Sequence, residues 1–328
     1  MNKAGIPIVI LAGSDRRPAA VPRGAESYHF LVGYKGARVH LQGQPLVRLL
    51  EQRLRQSAIL GDVYLAGPRA VFEGLVDCAI IDTDRDIGRN IRATVDYLRE
   101  RHGPETPIAF IASDILPETQ EIDALVRDLM VPPAPSVGPP LPAQIPFFAW
   151  AMVHPEGALG ASSWKPQYGI RPARDQPPLP FLPAHLAIIR PRYLRMRLLY
   201  RILQLAYEVR NRDFGHRRRV ILTKLLWMLV RRDVANLFSL RAPTLTTTVL
   251  RHGLATISRW RKGVLDIEGL ARGIAAVIVS RRLYRSCGAA AVRILVTPYL
   301  SFAKDLDTRE EVTELEGELP SDETQAPG

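Results

Sequence analysis

The sequence predicts an α/β fold on a mixed, mostly parallel sheet, with a basic helical insertion before the last strand. Three observations lead there. Short, unbroken apolar runs alternate with amphipathic segments through the first third of the chain, the pattern of strands covered on both faces by helices. Proline-rich stretches then separate two further β-rich runs. A long basic, helical block follows, and a last β-rich run returns near the C-terminal end.

Taken in order, Ile6–Leu11 is a short β-rich run ending in Ala12-Gly13. Pro45–Gln56 carries Leu46, Leu49, Leu50 and Leu54 at helical spacing, and proline suits a first helical turn. Asp62–Ala66 and Cys78–Ile81 read as buried strands. Ile87–Glu100 is a helix with Ile91, Val95 and Leu98 on one face. Pro107–Ala112 is another buried strand and Glu118–Leu129 another helix. Phe147–Val153 and His185–Ile189 are predicted strands, reached through proline-rich crossings at 132–146 and 166–183. Asp266–Tyr284 reads as one helix, and Ala291–Val296 as the last strand. The expected organisation is a core over 1–190, a basic helical insertion over 191–287, the closing strand and helix over 288–316, and a frayed acidic tail over 317–328.

Composition narrows the function. The chain has 328 residues, 47% of them hydrophobic, which is enough for a packed core. Its formal net charge of +11 points to an anionic partner. The excess lies in 192–262, where 17 Arg and Lys face three Asp and Glu. Two cysteines, Cys78 and Cys287, build neither a disulfide framework nor a cysteine metal site, so a reducing, cytoplasmic compartment is expected. The opening residues do not read as a secretory signal, and no apolar stretch reaches the roughly 18–20 residues of a membrane span. The amphipathic basic helices, with Trp227 on an apolar face, either pack over the core or dock on an anionic membrane surface, which would make the chain peripheral on the inner membrane face. Nucleic acid is not expected, because the block has no stacking pattern or binding motif.

Four segments carry candidate chemistry. Ile10-Leu11-Ala12-Gly13-Ser14-Asp15-Arg16-Arg17 is a glycine-bearing turn after the first strand. There the backbone of Leu11, Ala12 and Gly13 can approach phosphates, and Arg17 can stabilise transferring charge. Lys35 and Gly36 precede Gln42-Gly43-Gln44-Pro45-Leu46, and Lys35 reads either as a phosphate contact or as a solvated surface lysine. Ile87-Gly88-Arg89-Asn90-Ile91 opens a helix whose N-terminal amides favour anions. Asn90 there either meets a base edge or ties down its own loop. Ser113-Asp114-Ile115-Leu116-Pro117 follows a buried strand, and Asp305-Leu306-Asp307-Thr308-Arg309-Glu310-Glu311 lies near the C-terminal end.

In this order and spacing, from Ile6 to about Glu316, the segments resemble the MobA-like NTP transferase family, whose fold is Rossmann-like and of the GT-A type. The resemblance implies a nucleotidyltransferase that moves an NMP from an NTP onto a small phosphorylated acceptor. It implies Mg²⁺ on Asp114 and Asp307, with Asp305 as the other candidate. Arg17 and Lys35 would take catalytic roles, and Leu11, Ala12, Gly13, Gly88 and Asn90 would hold the nucleotide. Since a phosphate nucleophile is already ionised, no catalytic histidine is expected, and His29, His40 and His185 read as structural or surface residues. Lys165, Tyr168, Arg171 and Arg174 are the candidate grip on an acidic acceptor. Two other readings stand beside this one. The single glycine of the first loop also fits a degenerate scaffold that keeps the fold, and Asp305-x-Asp307 also fits a glycosyltransferase metal motif.

Overall fold

The computed structural model describes residues 5–14, 27–131, 146–209, 223–224, 227, 229–231 and 245–319. The first strand, β1 (Ile6–Leu11), has Ile8, Val9 and Ile10 without exposed surface. A short helix α1 (Lys35–Arg38) and a two-residue hairpin of β2 (His40–Leu41) and β3 (Gln44–Pro45) lead into α2 (Leu46–Gln56). Then come β4 (Leu60–Gly67), α3 (Arg69–Phe72), β5 (Ala79–Asp82) and α4 (Ile87–His102). Next are β6 (Ile108–Ala112), α5 (Thr119–Met130) and β7 (Phe148–Val153). The strands β8 (Tyr168–Ile170) and β9 (Leu179–Ile189) precede helices α6 (Met196–Val209), α7 (Leu245–Arg261), α8 (Ile267–Ile278) and α9 (Arg281–Cys287). Finally β10 (Val292–Thr297) leads to α10 (Arg309–Glu318).

The main sheet runs β10-β7-β9-β6-β1-β4-β5, with β8 paired on β9. The pairs β1–β4, β1–β6, β4–β5 and β7–β10 are parallel, while β9 runs antiparallel to β6, β7 and β8. The expected mixed, mostly parallel sheet is therefore present. Alternation along β1 explains its two-sided burial. Ile8 and Ile10 join one apolar cluster with Leu50 and Leu54 of α2 and Ile122 and Leu125 of α5. Val9 joins the opposite cluster with Ile91 and Val95 of α4 and Ala271 and Ala275 of α8.

Two expectations need correction. The helix expected over Asp266–Tyr284 is two helices, α8 and α9, broken at Val279 and Ser280. Val279 is extended and bridges Leu194, the Ser280 N–H donates to the Tyr193 carbonyl, and the Arg195 guanidinium donates to the Ala276 and Val277 carbonyls. The end of α8 is thus satisfied from outside, and the break leaves those carbonyls partnered. The second correction concerns 166–183. It was expected as a proline-rich crossing, yet it contains β8, and β9 starts at Leu179 rather than His185. Pro183 lies opposite Met152, where the β7–β9 register is irregular, the kind of ladder position that tolerates a missing N–H.

In the basic block, α6 packs on α4, and Leu229 is buried against Leu198. Trp227 is 68% exposed. Among the described residues no helix is long and apolar enough to cross a membrane. The crossing at 132–145 and the tail from 320 onward lie outside the described residues.

Candidate functional site

The site begins where β1 and β6 end side by side. Leu11 is in register with Ala112, and the Ser113 N–H donates to the Leu11 carbonyl. This places Ala12-Gly13 and Ser113-Asp114 together at the carboxyl edge of parallel strands, where such sheets bind ligands. Two more segments are laced onto that edge. The Leu306 N–H donates to the Asp114 carbonyl (2.8 Å), the Leu31 N–H to the Asp307 carbonyl (2.7 Å), and the Arg309 N–H to the His29 carbonyl (3.0 Å). Residues 29–31, 114 and 306–309 therefore form one framework, although some 190 residues separate Asp114 from Asp305 in sequence.

Within it, Asp114, Asp305 and Asp307 each offer a carboxylate oxygen within 4.8 Å of the others. Two buried lysines meet this charge. Lys35 is 4% exposed, lies 3.4 Å from Asp114 and pairs with Asp307. Lys165 is similarly buried and pairs with Asp305 at 2.5 Å and with Glu311 at 3.1 Å. Lys35 reaches its place because α1 packs tightly on the β6 loop. A Cβ on Gly36 would stand 3.0 Å from the Ser113 side chain and carbonyl, so a larger residue there requires α1 or Ser113 to give by a few tenths of an ångström.

Glu311 holds the C-terminal part of the cluster. In the segment Thr308-x-x-Glu311 its carboxylate accepts from the Asp307 and Thr308 N–H groups at 2.7 and 3.0 Å, while the Thr308 hydroxyl accepts from the Glu311 N–H. That is a capping box opening α10. The other Glu311 oxygen accepts from Ser162 at 2.7 Å. His185 of β9 lies 3.5 Å from Asp305.

The electrostatics follow from crowding carboxylates beside lysines away from water. Burial and the neighbouring Asp305 push Asp307 up to about 6, against the pull of Lys35. Asp305 goes the other way: burial raises it, but Lys165 and His185 hold it well below the usual carboxylate range. Burial pulls Lys35 down, yet Asp114 and Asp307 keep it above its ordinary value. His185 is likewise raised, Asp305 outweighing its burial.

The remaining expectations divide. Lys35 is not a solvated surface lysine but part of the cluster. Lys165, a candidate acceptor contact, pairs with Asp305 and Glu311, while Tyr168 packs near Trp260. Arg171 and Arg174 line a different cavity. Asn90 ties down its own loop, its side-chain oxygen accepting from the Thr83 hydroxyl and the Arg85 N–H. Gly88 is a packing glycine, because a Cβ there would stand 2.3 Å from the Tyr200 carbonyl of α6. Gly13 has open space where a Cβ would be. Arg17 lies outside the described residues.

His29 is on the surface as expected, 2.6 Å from Glu310, and exposed His40 donates through Nδ1 to the Arg38 carbonyl. His185, expected as a structural or surface residue, lies beside Asp305, a neighbour that a lone histidine in a strand does not announce. Glu311 carried a readable sign in the capping-box spacing; Ser162 carried none.

No protein-family model matches the chain, and no curated protein matches it in sequence. Among solved structures, it is similar to a CMP:2-keto-3-deoxy-manno-octonic acid synthetase complexed with CTP. That match has 12% identity over 69% of this chain and 85% of the other, with a TM-score of 0.38. A 4-diphosphocytidyl-2C-methyl-D-erythritol synthase from Anaerococcus prevotii DSM 20548 matches with 8% identity over 96% of this chain and 97% of the other, at a TM-score of 0.40. The inositol-1-phosphate CTP transferase from T. maritima matches with 12% identity over 64% of this chain and 84% of the other, at a TM-score of 0.36.

Proposed function

We propose that this chain is a nucleotidyltransferase that moves a nucleoside monophosphate from an NTP to a small phosphorylated acceptor. The observation that carries the reading is the meeting of Asp114, Asp305 and Asp307 at the carboxyl edge of β6, with the buried Lys35 between two of them. An oxygen-only donor set suits a hard divalent cation that keeps waters and phosphate in its shell. Burial, with the neighbouring Asp305, pushes Asp307 up to about 6, against the pull of Lys35, so this carboxylate would gain from a further positive charge. Asp114 and Asp307 would hold Mg²⁺, with Asp305 as third donor, and the ion would supply neutralisation of the triphosphate. Lys35 adds a fixed positive charge at the same edge for phosphate oxygens. Lys165, Glu311 and His185 hold Asp305 and the 305–309 segment in place.

In the transfer, an acceptor phosphate oxygen attacks the α-phosphorus in line. The new P–O bond forms as the bond to the β-phosphate oxygen breaks, and pyrophosphate leaves. The nucleophile is already ionised, so the chain supplies position and charge rather than a base. For the basic block we propose packing over the core as its first role, since α6 lies on α4 and Leu229 is buried on Leu198.

A second reading, a scaffold that retains the fold without activity, draws on the two lysines, which already pair with all three carboxylates. One titration separates the two. ATP, CTP, GTP and UTP are added to the wild type and to Asp114→Ala, with and without Mg²⁺. Mg²⁺-dependent binding of one NTP that Asp114→Ala loses supports the enzyme and names the base. No binding of any NTP sinks the enzyme reading and leaves the scaffold.

A further inference from the structure

A second charged feature shares no residue with the carboxylate cluster. Between the end of β8, the end of α7 and the start of α8 lies a cavity of about 560 Å³, within the size range of small-ligand sites. Four arginines line it, Arg171, Arg174, Arg259 and Arg272, against only Asp266 and Glu268. The two acids are already engaged. Asp266 caps α8, accepting from the Gly269 N–H at 2.7 Å, and lies 3.5 Å from Arg259. Glu268 pairs with Arg272 one helical turn away. Arg171 donates through Nε to the Gly263 carbonyl and through Nη1 to the Arg174 carbonyl. Those carbonyls orient its guanidinium without neutralising it. The loop itself is pinned, since the Arg171 N–H donates to Leu265 and the Ile267 N–H to Arg171.

The lining therefore carries two guanidinium charges more than it carries carboxylates, in a concave wall anchored by backbone hydrogen bonds. Planar guanidiniums match phosphate oxygens two at a time. We infer that this cavity binds a phosphate group carrying two negative charges, at a site separate from the carboxylate cluster. It stands whether or not the chain transfers nucleotides. A free phosphate ester and a phospholipid headgroup present the same chemistry, and the cavity accepts that shared group.

The test uses the full chain in Mg²⁺-free, low-salt buffer, with three probes. Inorganic phosphate and glycerol 3-phosphate are titrated by calorimetry, and vesicles of phosphatidylcholine doped with phosphatidic acid are tested by co-sedimentation. The variant is Arg174→Ala, because the side chain is exposed and alanine keeps the backbone carbonyl that accepts from Arg171. Arg92→Ala on α4, 69% exposed and outside the cavity, is the control for nonspecific charge. Loss of one charge-assisted contact should weaken binding about tenfold in Arg174→Ala and leave the control unchanged. An Arg174-dependent signal with the soluble probes identifies a metabolite site. The same dependence with vesicles alone identifies a headgroup site. Binding absent from all three probes, or weakened equally in both variants, overturns the proposal. Asp114→Ala should bind phosphate as the wild type does, which keeps this result distinct from the nucleotide titration.

Discussion

Replacing Lys35 with methionine tests the central claim about the site, that its lysines hold an excess of carboxylate charge together. Methionine keeps most of the side-chain volume and removes only the ammonium. Lys35 is 4% exposed and faces Asp114 and Asp307, which are 20% and 14% exposed. Removing one partner of a buried ion pair costs about 3–5 kcal/mol, and the partial exposure of both aspartates favours the lower end, about 3 kcal/mol. At this chain length that is roughly 2 °C per kcal/mol, so the melting temperature should fall by about 6 °C near neutral pH.

The deficit should also depend on pH. Asp307 is already raised to about 6, and without Lys35 it rises further. A carboxyl raised in the folded state contributes stability that is present below its unfolded value and lost as pH rises through its folded value. Lys35→Met should therefore lie closest to wild type near pH 5 and furthest from it near pH 8. Thermal unfolding followed by circular dichroism across that range reads both effects. Adding Asp307→Asn should restore part of the loss, because the pair no longer needs the lysine. A variant as stable as wild type at every pH would refute the reasoning. A deficit of equal size from pH 5 to pH 8 would show that packing, not charge, is what Lys35 supplies.

Two other substitutions probe the framework. Glu311→Gln weakens the hold on Lys165 and on the Asp307 and Thr308 N–H groups, and should cost about 2 kcal/mol in urea unfolding, the range for hydrogen bonds to a charged group. Gly88→Ala pushes a methyl against the Tyr200 carbonyl and should destabilise by about 1–3 kcal/mol, with the loss centred on the α4–α6 contact as read by hydrogen exchange. Wild-type stability in Gly88→Ala would mean that α6 is free to retreat from α4.

The contrast between these residues shows how far reading the chain goes. The apolar runs from Ile6 to Ala112 already specified strands buried on both faces, because local period and length are properties of neighbouring residues. Asp114 could be found for the same reason, lying directly after a buried strand at the edge where parallel sheets generally bind ligands. The pairing of Asp114 with Asp307 was legible only through the order of segments, and Thr308-x-x-Glu311 was legible as a helix start but not as the clamp on Lys165. That Gly88 packs against α6 and that Asn90 ties down its own loop were not legible from their place in sequence.

The sequence by itself thus determined the class of fold and the strand-and-helix order of the first third, and it singled out the three aspartates that the structure brings together. Which lysine faces which carboxylate, that His185 belongs to the site, and that Arg171 and Arg174 line a separate cavity were decided only by tertiary structure. The physical reason is separation along the chain. Contacts such as Lys35–Asp307 and Lys165–Glu311 depend on how distant segments dock, and docking is governed by packing and by the need to satisfy buried backbone groups. A residue's type announces its charge; only the folded chain assigns that charge a neighbour.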